Sequence, residues 1–179
     1  MKPLDAATLE VFLKRAVDRL HGEWTLIGGC VLPALGVSHR ATMDIDLCGP
    51  ADATLQETLA LLELATELGM PPEAVNQAGS FFLRRIPGYE RDRVVLMKGA
   101  TATLYRPNVT LFLLLKIARF TESDLSDCLS FLDYARSHGE PLDVPRVRAA
   151  ICDALLQKNP SRRRRLRRLL QAIESECPQ

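Results

Sequence analysis

Apolar residues recur every three or four positions in two stretches of the N-terminal half, 4–20 and 51–68. This spacing predicts two amphipathic helices, because it places the apolar side chains on one helix face. The apolar run 24–27 ends at two glycines and predicts a buried strand. The alternating stretch 42–47 predicts a second strand, and 30–35 predicts a short helix between the two strands.

The pattern changes from strands to helices near Pro107. Runs rich in β-branched and aromatic residues predict three further strands, at 80–86, 93–97 and 102–105. Beyond them, apolar residues at helical spacing predict four helices, at 107–120, 122–138, 143–157 and 160–176. We therefore expect an α+β protein, with an α/β head (a mixed sheet flanked by helices) at 1–106 and a C-terminal helical bundle at 107–179.

The composition is that of an ordinary globular protein of 179 residues, 47% of them hydrophobic. The sequence has no run of 18 apolar residues and no apolar signal core at its start, so we expect a cytoplasmic protein without a membrane span. The charge is uneven: residues 158–179 contain seven basic and two acidic residues, and the rest of the chain contains 16 basic and 20 acidic. This predicts an acidic body with a basic C-terminal helix.

The five cysteines and three histidines give little support for metal or covalent chemistry. The cysteines are odd in number and form no Cys-x-x-Cys pair, which argues against a disulfide framework and a zinc site. We interpret the cysteines as buried or unreactive thiols. The histidines are isolated from one another in the sequence, so they suggest neither a metal site nor a catalytic triad.

A glycine pair, Gly28 and Gly29, follows the first predicted strand and precedes the first short helix. Glycines in such a turn let backbone N–H groups approach an anion closely, and a helix N-terminus adds partial positive charge. A glycine pair in this position is also common as a simple turn. The pair alone therefore leaves both interpretations open.

Two acids, Asp44 and Asp46, lie on one face of the second predicted strand, about 7 Å apart by the strand rise. Carboxylates this close repel each other unless a cation lies between them, and Mg²⁺ prefers carboxylate oxygens and phosphates as ligands. The alternative is a solvated surface pair or a capping pair. The apolar neighbours Ile45 and Leu47 favour a magnesium site, because solubility alone does not require acids within an apolar strand.

A glycine pair after a strand, then a helix, then R-x-T-x-D-I-D-L at 40–47 together resemble the signature of the nucleotidyltransferase superfamily, which includes DNA polymerase β. The form is similar to that of small bacterial nucleotidyltransferase-like proteins, the AbiEii and MenT-like toxins of type IV toxin–antitoxin systems and their relatives. The resemblance covers about residues 24–135, thinly between 50 and 105. It implies a nucleotidyltransferase-like sheet.

In that family the glycine turn holds a nucleoside triphosphate and the Asp-x-Asp acids bind magnesium. The resemblance therefore implies that Asp44 and Asp46 are catalytic residues and ligands of two Mg²⁺ ions. The residues that it assigns to nucleotide binding in this segment are Gly28, Gly29, Arg40 and Thr42.

A second segment, Lys116, Arg119, Asp124 and Asp127, resembles the K-x-x-R…D-x-x-D segment of the same toxin-like relatives. The resemblance implies that Lys116 is a catalytic residue and that Lys116 and Arg119 meet the triphosphate. It also implies that Asp127 supports the site as a catalytic residue by orienting Lys116. Two alternatives involve no ligand. Lys116 could extend its side chain to solvent at a helix edge, and Arg119 could pair with Asp124 on the surface.

The chain departs from the family pattern in two places. Polymerase-type members carry a third carboxylate on a later strand, but no acid occurs at 94–97 or 102–105. Asp92, at the entry of the first of these strands, is the nearest candidate, and Glu90 is a poorer one. The usual glycine–serine pair is also Gly–Gly here, so no hydroxyl is available at that point to contact a phosphate.

The last predicted helix combines an apolar stripe with a broad cationic face, which would attract RNA or DNA phosphates. A solvated face that balances an acidic body is the alternative. No aromatic residue lies between the arginines to stack on bases. The arginines that we name as candidates for an RNA or tRNA acceptor are Arg162, Arg163, Arg164, Arg165, Arg167 and Arg168.

These features lead to a principal hypothesis and two alternatives. The first is a Mg-dependent nucleotidyltransferase that moves a nucleotidyl group from an NTP to a hydroxyl acceptor, with a possible antitoxin protein as a partner. The second is a non-catalytic member of the same fold that binds a nucleotide, a nucleic acid or a partner protein. The third is a nucleic-acid-binding protein that acts through the basic helix.

Overall fold

The computed structural model describes residues 5–37 and 44–175, and the chain divides into two compact units, Met1–Pro107 and Asn108–Gln179. The described residues form eight α-helices and a five-stranded sheet with parallel and antiparallel pairs. This confirms the predicted α+β class. No helix in the described ranges has the length and apolar character that crossing a membrane requires.

In the N-terminal unit, the described residues form four helices and all five strands of the sheet. Its elements are α1 (Ala6–Arg19), β1 (Gly22–Ile27), α2 (Val31–Ala34), β2 (Ile45–Cys48), α3 (Leu55–Glu67), β3 (Val75–Asn76), α4 (Gly79–Leu83), β4 (Arg93–Lys98) and β5 (Ala102–Pro107). Short 3-10 turns precede α2, β3 and β4. The predicted strands at 24–27, 93–97 and 102–105 are confirmed, as is 42–47 in its described part.

The strand order in the sheet is β3-β2-β1-β5-β4. The central strand β1 is antiparallel to β2 and parallel to β5, and β4 is antiparallel to β5. Ile27, the last residue of β1, pairs with Asp46, and Arg93 at the start of β4 pairs with Pro107 at the end of β5. The end of β1 and the starts of β2 and β4 therefore lie at one end of the sheet.

The two faces of the sheet differ in polarity because side chains alternate along each strand. One face carries Trp24, Leu26, Leu47 and Leu104, all fully buried. Helix α1 contacts β4 and β5, and its own apolar stripe is buried. By the same register, the opposite face is mixed: it carries Thr25 and Asp46 beside the buried side chains of Ile27 and Cys48. The first face forms the core of this unit, and the second is called the polar face below.

The strand predicted at 80–86 is wrong, because this segment contains helix α4 (Gly79–Leu83) followed by turns. The aromatic pair Phe81 and Phe82 favours a strand by local propensity, but both side chains are exposed and only Leu83 is buried in α4. Packing determines the outcome. A Cβ on Gly79 would overlap Cδ1 of Ile27, so the start of α4 lies directly against the sheet.

The C-terminal unit contains four helices, as predicted from their apolar spacing. They are α5 (Val109–Ile117), α6 (Glu122–Ser137), α7 (Val144–Leu155) and α8 (Pro160–Glu174). The side chain of the residue before each helix accepts a hydrogen bond from a backbone N–H of the first turn, which satisfies a donor that the helix leaves unpaired. These capping residues are Asn108, Thr121, Asp143 and Asn159.

Candidate functional site

The glycine turn and one of the two candidate metal ligands lie in direct contact. Gly28 has a φ of +76°, in the left-handed region that favours glycine, and a Cβ at this position would overlap Oδ2 of Asp46. The contact follows from the register, because Ile27 pairs with Asp46 and Gly28 is the next residue. Glycine is thus required here for the backbone conformation and for the space that the carboxylate occupies.

Asp46 and Asp44 differ in their surroundings. Asp46 is a half-buried residue of β2, and Asp44 is exposed immediately before that strand. Between and beside them, Ile45 and Leu47 are fully buried on the apolar face. The alternation therefore directs Asp46 to the polar face, at the end of the sheet that solvent reaches.

The other nucleotide-binding residues predicted for this segment can be placed only in part. Arg40 and Thr42 lie outside the described residues. Gly29 is half-buried in the 3-10 turn after β1, and α2 behind it has only four residues. A helix this short adds little partial charge. An anion bound here would therefore depend on the backbone N–H groups of the two glycines, which have no side chain to cover them.

Neither candidate for a third carboxylate completes a cluster. Asp92 directly precedes β4, at the same end of the sheet as Gly28, but β5 separates β4 from β1. Glu90 is exposed in the same 3-10 turn. Within 5–37 and 44–175, no three acids, histidines or cysteines lie close enough to hold a metal ion. Two carboxylates that share a magnesium ion with substrate phosphates remain a suitable donor set.

A polar network on the polar face of the sheet was not anticipated from the sequence. Arg93 donates to Glu23 Oε2 at 2.7 Å and contacts Thr25 Oγ1 at 3.5 Å, and the Tyr105 hydroxyl donates to Glu23 Oε1 at 3.1 Å. The hydrogen bond from Arg93 holds the pKa of Glu23 below its usual value. The sequence did contain a signal, because Glu23 and Thr25 alternate with buried residues in β1. The interpretation of this segment as a wholly apolar strand missed it.

The second candidate cluster lies within the C-terminal unit and joins α5 to α6. Lys116 Nζ donates to Asp124 Oδ1 and to Asp127 Oδ2, each at 2.9 Å. The lysine is 9% exposed and the two aspartates are 1% and 7% exposed. Of the two ligand-free alternatives, the first is wrong, because Lys116 does not extend to solvent. In the second, Arg119 does pair with Asp124, but the carboxylate of Asp124 is buried and does not lie on the surface.

The protonation states of this cluster are held by its hydrogen bonds. Burial alone would raise the pKa of Asp124, but the backbone N–H and hydroxyl of Thr121, together with Lys116, keep that pKa well below its usual range. Burial alone would lower the pKa of Lys116, and Asp127 and Asp124 together raise it instead. The cluster is thus an ionised lysine between two carboxylates.

Arg119 is the exposed member of the same cluster. Arg119 Nε lies 3.4 Å from Asp124 Oδ2, and the arginine side chain is 76% exposed. Of the residues in this unit that were predicted to contact phosphate, Arg119 is therefore the most accessible to solvent. Two of the three Nζ protons of Lys116 are already donated to carboxylates, which leaves one for any ligand. The geometry agrees with Asp127 orienting Lys116, and it makes Asp124 an equal partner.

The arginines of α8 do not form one cationic face, contrary to the sequence-based prediction. Arg162 is 6% exposed and donates to the carbonyls of Ile117 and Ala118 at the end of α5. Arg165 donates to the carbonyl of Phe120, whose φ of +49° ends that segment. These two arginines satisfy carbonyls that the end of α5 leaves unpaired, and are part of the fold.

Comparisons with known proteins identify no relative: no family model, no curated protein and no solved structure matches the chain.

Proposed function

We propose that this chain is a Mg-dependent nucleotidyltransferase with a nucleotidyltransferase-like fold, and that its nucleotide site lies at the end of the sheet where Gly28 contacts Asp46. The contact between the glycine turn and the acid is the observation that supports the proposal most. A phosphate approaching the backbone of Gly28 and Gly29 would meet a metal held by Asp46 and Asp44. The glycine turn and the acid pair already lie next to each other, so no distant residue is needed to bring them together.

The donor chemistry at this end of the sheet fits magnesium. Mg²⁺ is usually bound by one or two carboxylates, with water and substrate phosphates completing its octahedral shell. Asp44 is exposed and Asp46 is half-buried, so both can meet a hydrated ion. When bound, the ion would neutralise charge on the triphosphate during displacement at the α-phosphorus.

In the proposed reaction, the oxygen of an acceptor hydroxyl forms a bond to the α-phosphorus, the bond to the bridging oxygen of the β-phosphate breaks, and pyrophosphate and the hydroxyl proton are released. Gly28 and Gly29 would bind the β- and γ-phosphates through backbone N–H groups, which would fix the direction of attack. Asp44 and Asp46 would hold the Mg²⁺ and so help to orient the triphosphate. Catalysis of this kind depends mainly on positioning and charge neutralisation, so few side chains are required.

The roles of Lys116, Arg119 and Asp127 at the triphosphate stay predictions from the resemblance. Their geometry supports one refinement within the C-terminal unit: Lys116 would act through a single remaining proton, and exposed Arg119 would supply most of the added positive charge. Arg40 and Thr42 keep their predicted role in nucleotide binding.

The test uses NTPs labelled at the α- or γ-phosphate, incubated with the protein, Mg²⁺ and total RNA. We expect the α-label to enter an acid-insoluble product and the γ-label to appear in pyrophosphate. An Asp44→Ala, Asp46→Ala variant should show neither. Transfer of the γ-label, or release of pyrophosphate that the double variant retains, would contradict the proposal.

A matched control is available in the same unit. Asp18 and Asp52 are exposed acids of the N-terminal unit. Asp18 lies four residues before the start of β1 and Asp52 lines a cleft with Gly22 at that start, which is the end of β1 opposite to Gly28. An Asp18→Ala, Asp52→Ala variant removes the same two charges and should retain full transfer. Mg-dependent nucleotide binding without any transfer would instead favour the non-catalytic alternative. That alternative is also favoured because the described residues include no third carboxylate clustered with the pair.

A further inference from the structure

The cationic residues around α8 divide into those that hold the fold and those that face solvent. Arg162 and Arg165 donate to carbonyls near the end of α5, and Arg168 pairs with Glu122 on α6 at 3.5 Å. Arg163 and Arg167 are exposed and make no such contact to a described residue. This helix therefore carries a second set of arginines that the fold does not use.

The solvent-facing cations are concentrated at the start of α8. Lys158, Arg163 and Arg167 line an open cleft of about 280 Å³ together with Pro160. Arg164, the next residue after Arg163 in the sequence, is also exposed. Arg163 and Arg167 are four residues apart, so they are neighbours on one helix face. No acidic residue occurs between Lys158 and Ile173 to neutralise them.

We propose that this cleft, formed by Lys158, Arg163 and Arg167, binds the phosphodiester backbone of a nucleic acid strand. Guanidinium groups bind phosphate oxygens through two parallel hydrogen bonds, and several cations in one cleft can contact successive phosphates. A lipid surface fits less well, because the apolar stripe of α8 (Leu166, Leu169 and Ile173) is fully buried and has nothing to insert into a bilayer.

The inference goes beyond the proposed function and does not depend on it. The cleft lies in the C-terminal unit, and binding to a strand needs neither Mg²⁺ nor a nucleotide. A strand bound here would be held by its backbone alone, since none of the described residues that line the cleft is aromatic and could stack on bases. We therefore expect strong salt dependence and little dependence on base sequence.

The experiment measures fluorescence anisotropy of labelled single-stranded RNA and DNA of mixed sequence with the full chain, without NTP, between about 50 and about 200 mM KCl. A variant with Lys158→Gln, Arg163→Gln and Arg167→Gln should bind about a hundredfold more weakly near 0.1 M salt. Its salt slope should be smaller by about 2, because each single-strand phosphate contact contributes about 0.7. Binding of either RNA or DNA supports the proposal, and tighter binding of one of them identifies the nucleic acid that the cleft prefers.

The control variant Lys14→Gln, Arg15→Gln and Lys98→Gln removes the same charge from exposed positions of the N-terminal unit, and should bind like the original chain. Thermal unfolding of both variants shows that they are folded. Equal loss of binding in both variants would overturn the proposal, as would undetectable binding of the original chain at low salt. Displacement of RNA by polyglutamate of matched charge at equal concentration would overturn it in favour of an acidic protein partner.

Discussion

The two units each carry a closely spaced pair of aspartates, and the two pairs are built for different purposes. Asp124 and Asp127 are three residues apart on α6, so they face the same side of the helix and enclose Lys116 in a buried cluster. Asp44 and Asp46 are two residues apart at the start of a strand, where solvent reaches them and a glycine turn lies against Asp46. The first pair has its cation within the fold, and we propose that the second receives Mg²⁺ with its substrate.

Removing the built-in cation should cause the largest loss of stability. Lys116→Met leaves two nearly buried carboxylates without their lysine, and we expect the free energy of unfolding of the C-terminal unit to fall by about 3–5 kcal/mol. Urea denaturation measures the change. Arg119→Gln, at the exposed edge of the same cluster, should cost less than about 1 kcal/mol. Equal stability of Lys116→Met and the original chain would show that the cluster is not a structural ion pair.

The same cluster should make the C-terminal unit sensitive to acid. The pKa of Asp124 in the folded protein lies below its usual value of 3.8, so the unfolded state takes up the proton first. The stabilisation from Asp124 is therefore complete above about pH 3.8 and is lost as the pH falls further. At low pH, the total loss should reach most of the loss that Lys116→Met causes. The raised pKa of Lys116 keeps its contribution intact below its usual value of 10.5, with loss only as the pH rises beyond that.

Denaturant midpoints measured from neutral pH downward test this prediction. Asp124→Asn should show a weaker dependence on pH in the acid range than the original chain, because its residue 124 has no proton to bind. An unchanged acid dependence in Asp124→Asn would contradict the assignment.

A smaller effect distinguishes the arginines that hold the fold from those that we propose bind phosphates. Arg162→Gln should lower the free energy of unfolding by about 1–3 kcal/mol, because it leaves the carbonyls of Ile117 and Ala118 without their donor. Arg163→Gln, one residue away and exposed, should change it by less than about 0.5 kcal/mol. Similar losses in both variants would remove the distinction between the two sets.

The last comparison concerns the glycine turn, where the loss of stability should be modest and the consequence for ligand binding large. Gly28→Ala and Gly69→Ala both place a Cβ at a positive φ, which costs about 1–2 kcal/mol. Gly69 has open space around it, whereas a Cβ on Gly28 would displace the carboxylate of Asp46. Gly28→Ala should therefore also lose the stabilisation by Mg·NTP that Gly69→Ala retains. Calorimetric titration with Mg·NTP would separate the two variants.

Local sequence pattern was sufficient for most of the fold. The four C-terminal helices follow from apolar spacing and polar capping residues, and three of the strands follow from short apolar runs bounded by turns. There are two exceptions. The two-residue strand β3 was not predicted, and α4 is a five-residue segment with a strand-like composition. Its conformation depends on packing of Gly79 against Ile27, a contact between residues far apart in the chain.

The site was predictable to the extent that its residues are close in sequence. The contact between the glycine turn and Asp46 joins neighbouring elements, and Lys116 stood out as a lone cation in an apolar helix. The burial of Arg162 was not predictable, because the carbonyls that it satisfies belong to residues 44 and 45 positions away. The bond between Glu23 and Arg93 spans 70 positions, which no local periodicity reports.

The measurement that tests the central claim most directly is thermal unfolding with each of the four NTPs, with and without Mg²⁺. We expect the melting temperature of the original chain to rise only when NTP and Mg²⁺ are both present. In an Asp44→Ala, Asp46→Ala variant, the melting temperature without ligand should stay level or rise, and the shift on adding Mg·NTP should vanish. An absence of any shift at millimolar NTP, or a shift that the double variant retains in full, would contradict the assignment of this pair to a Mg·NTP site.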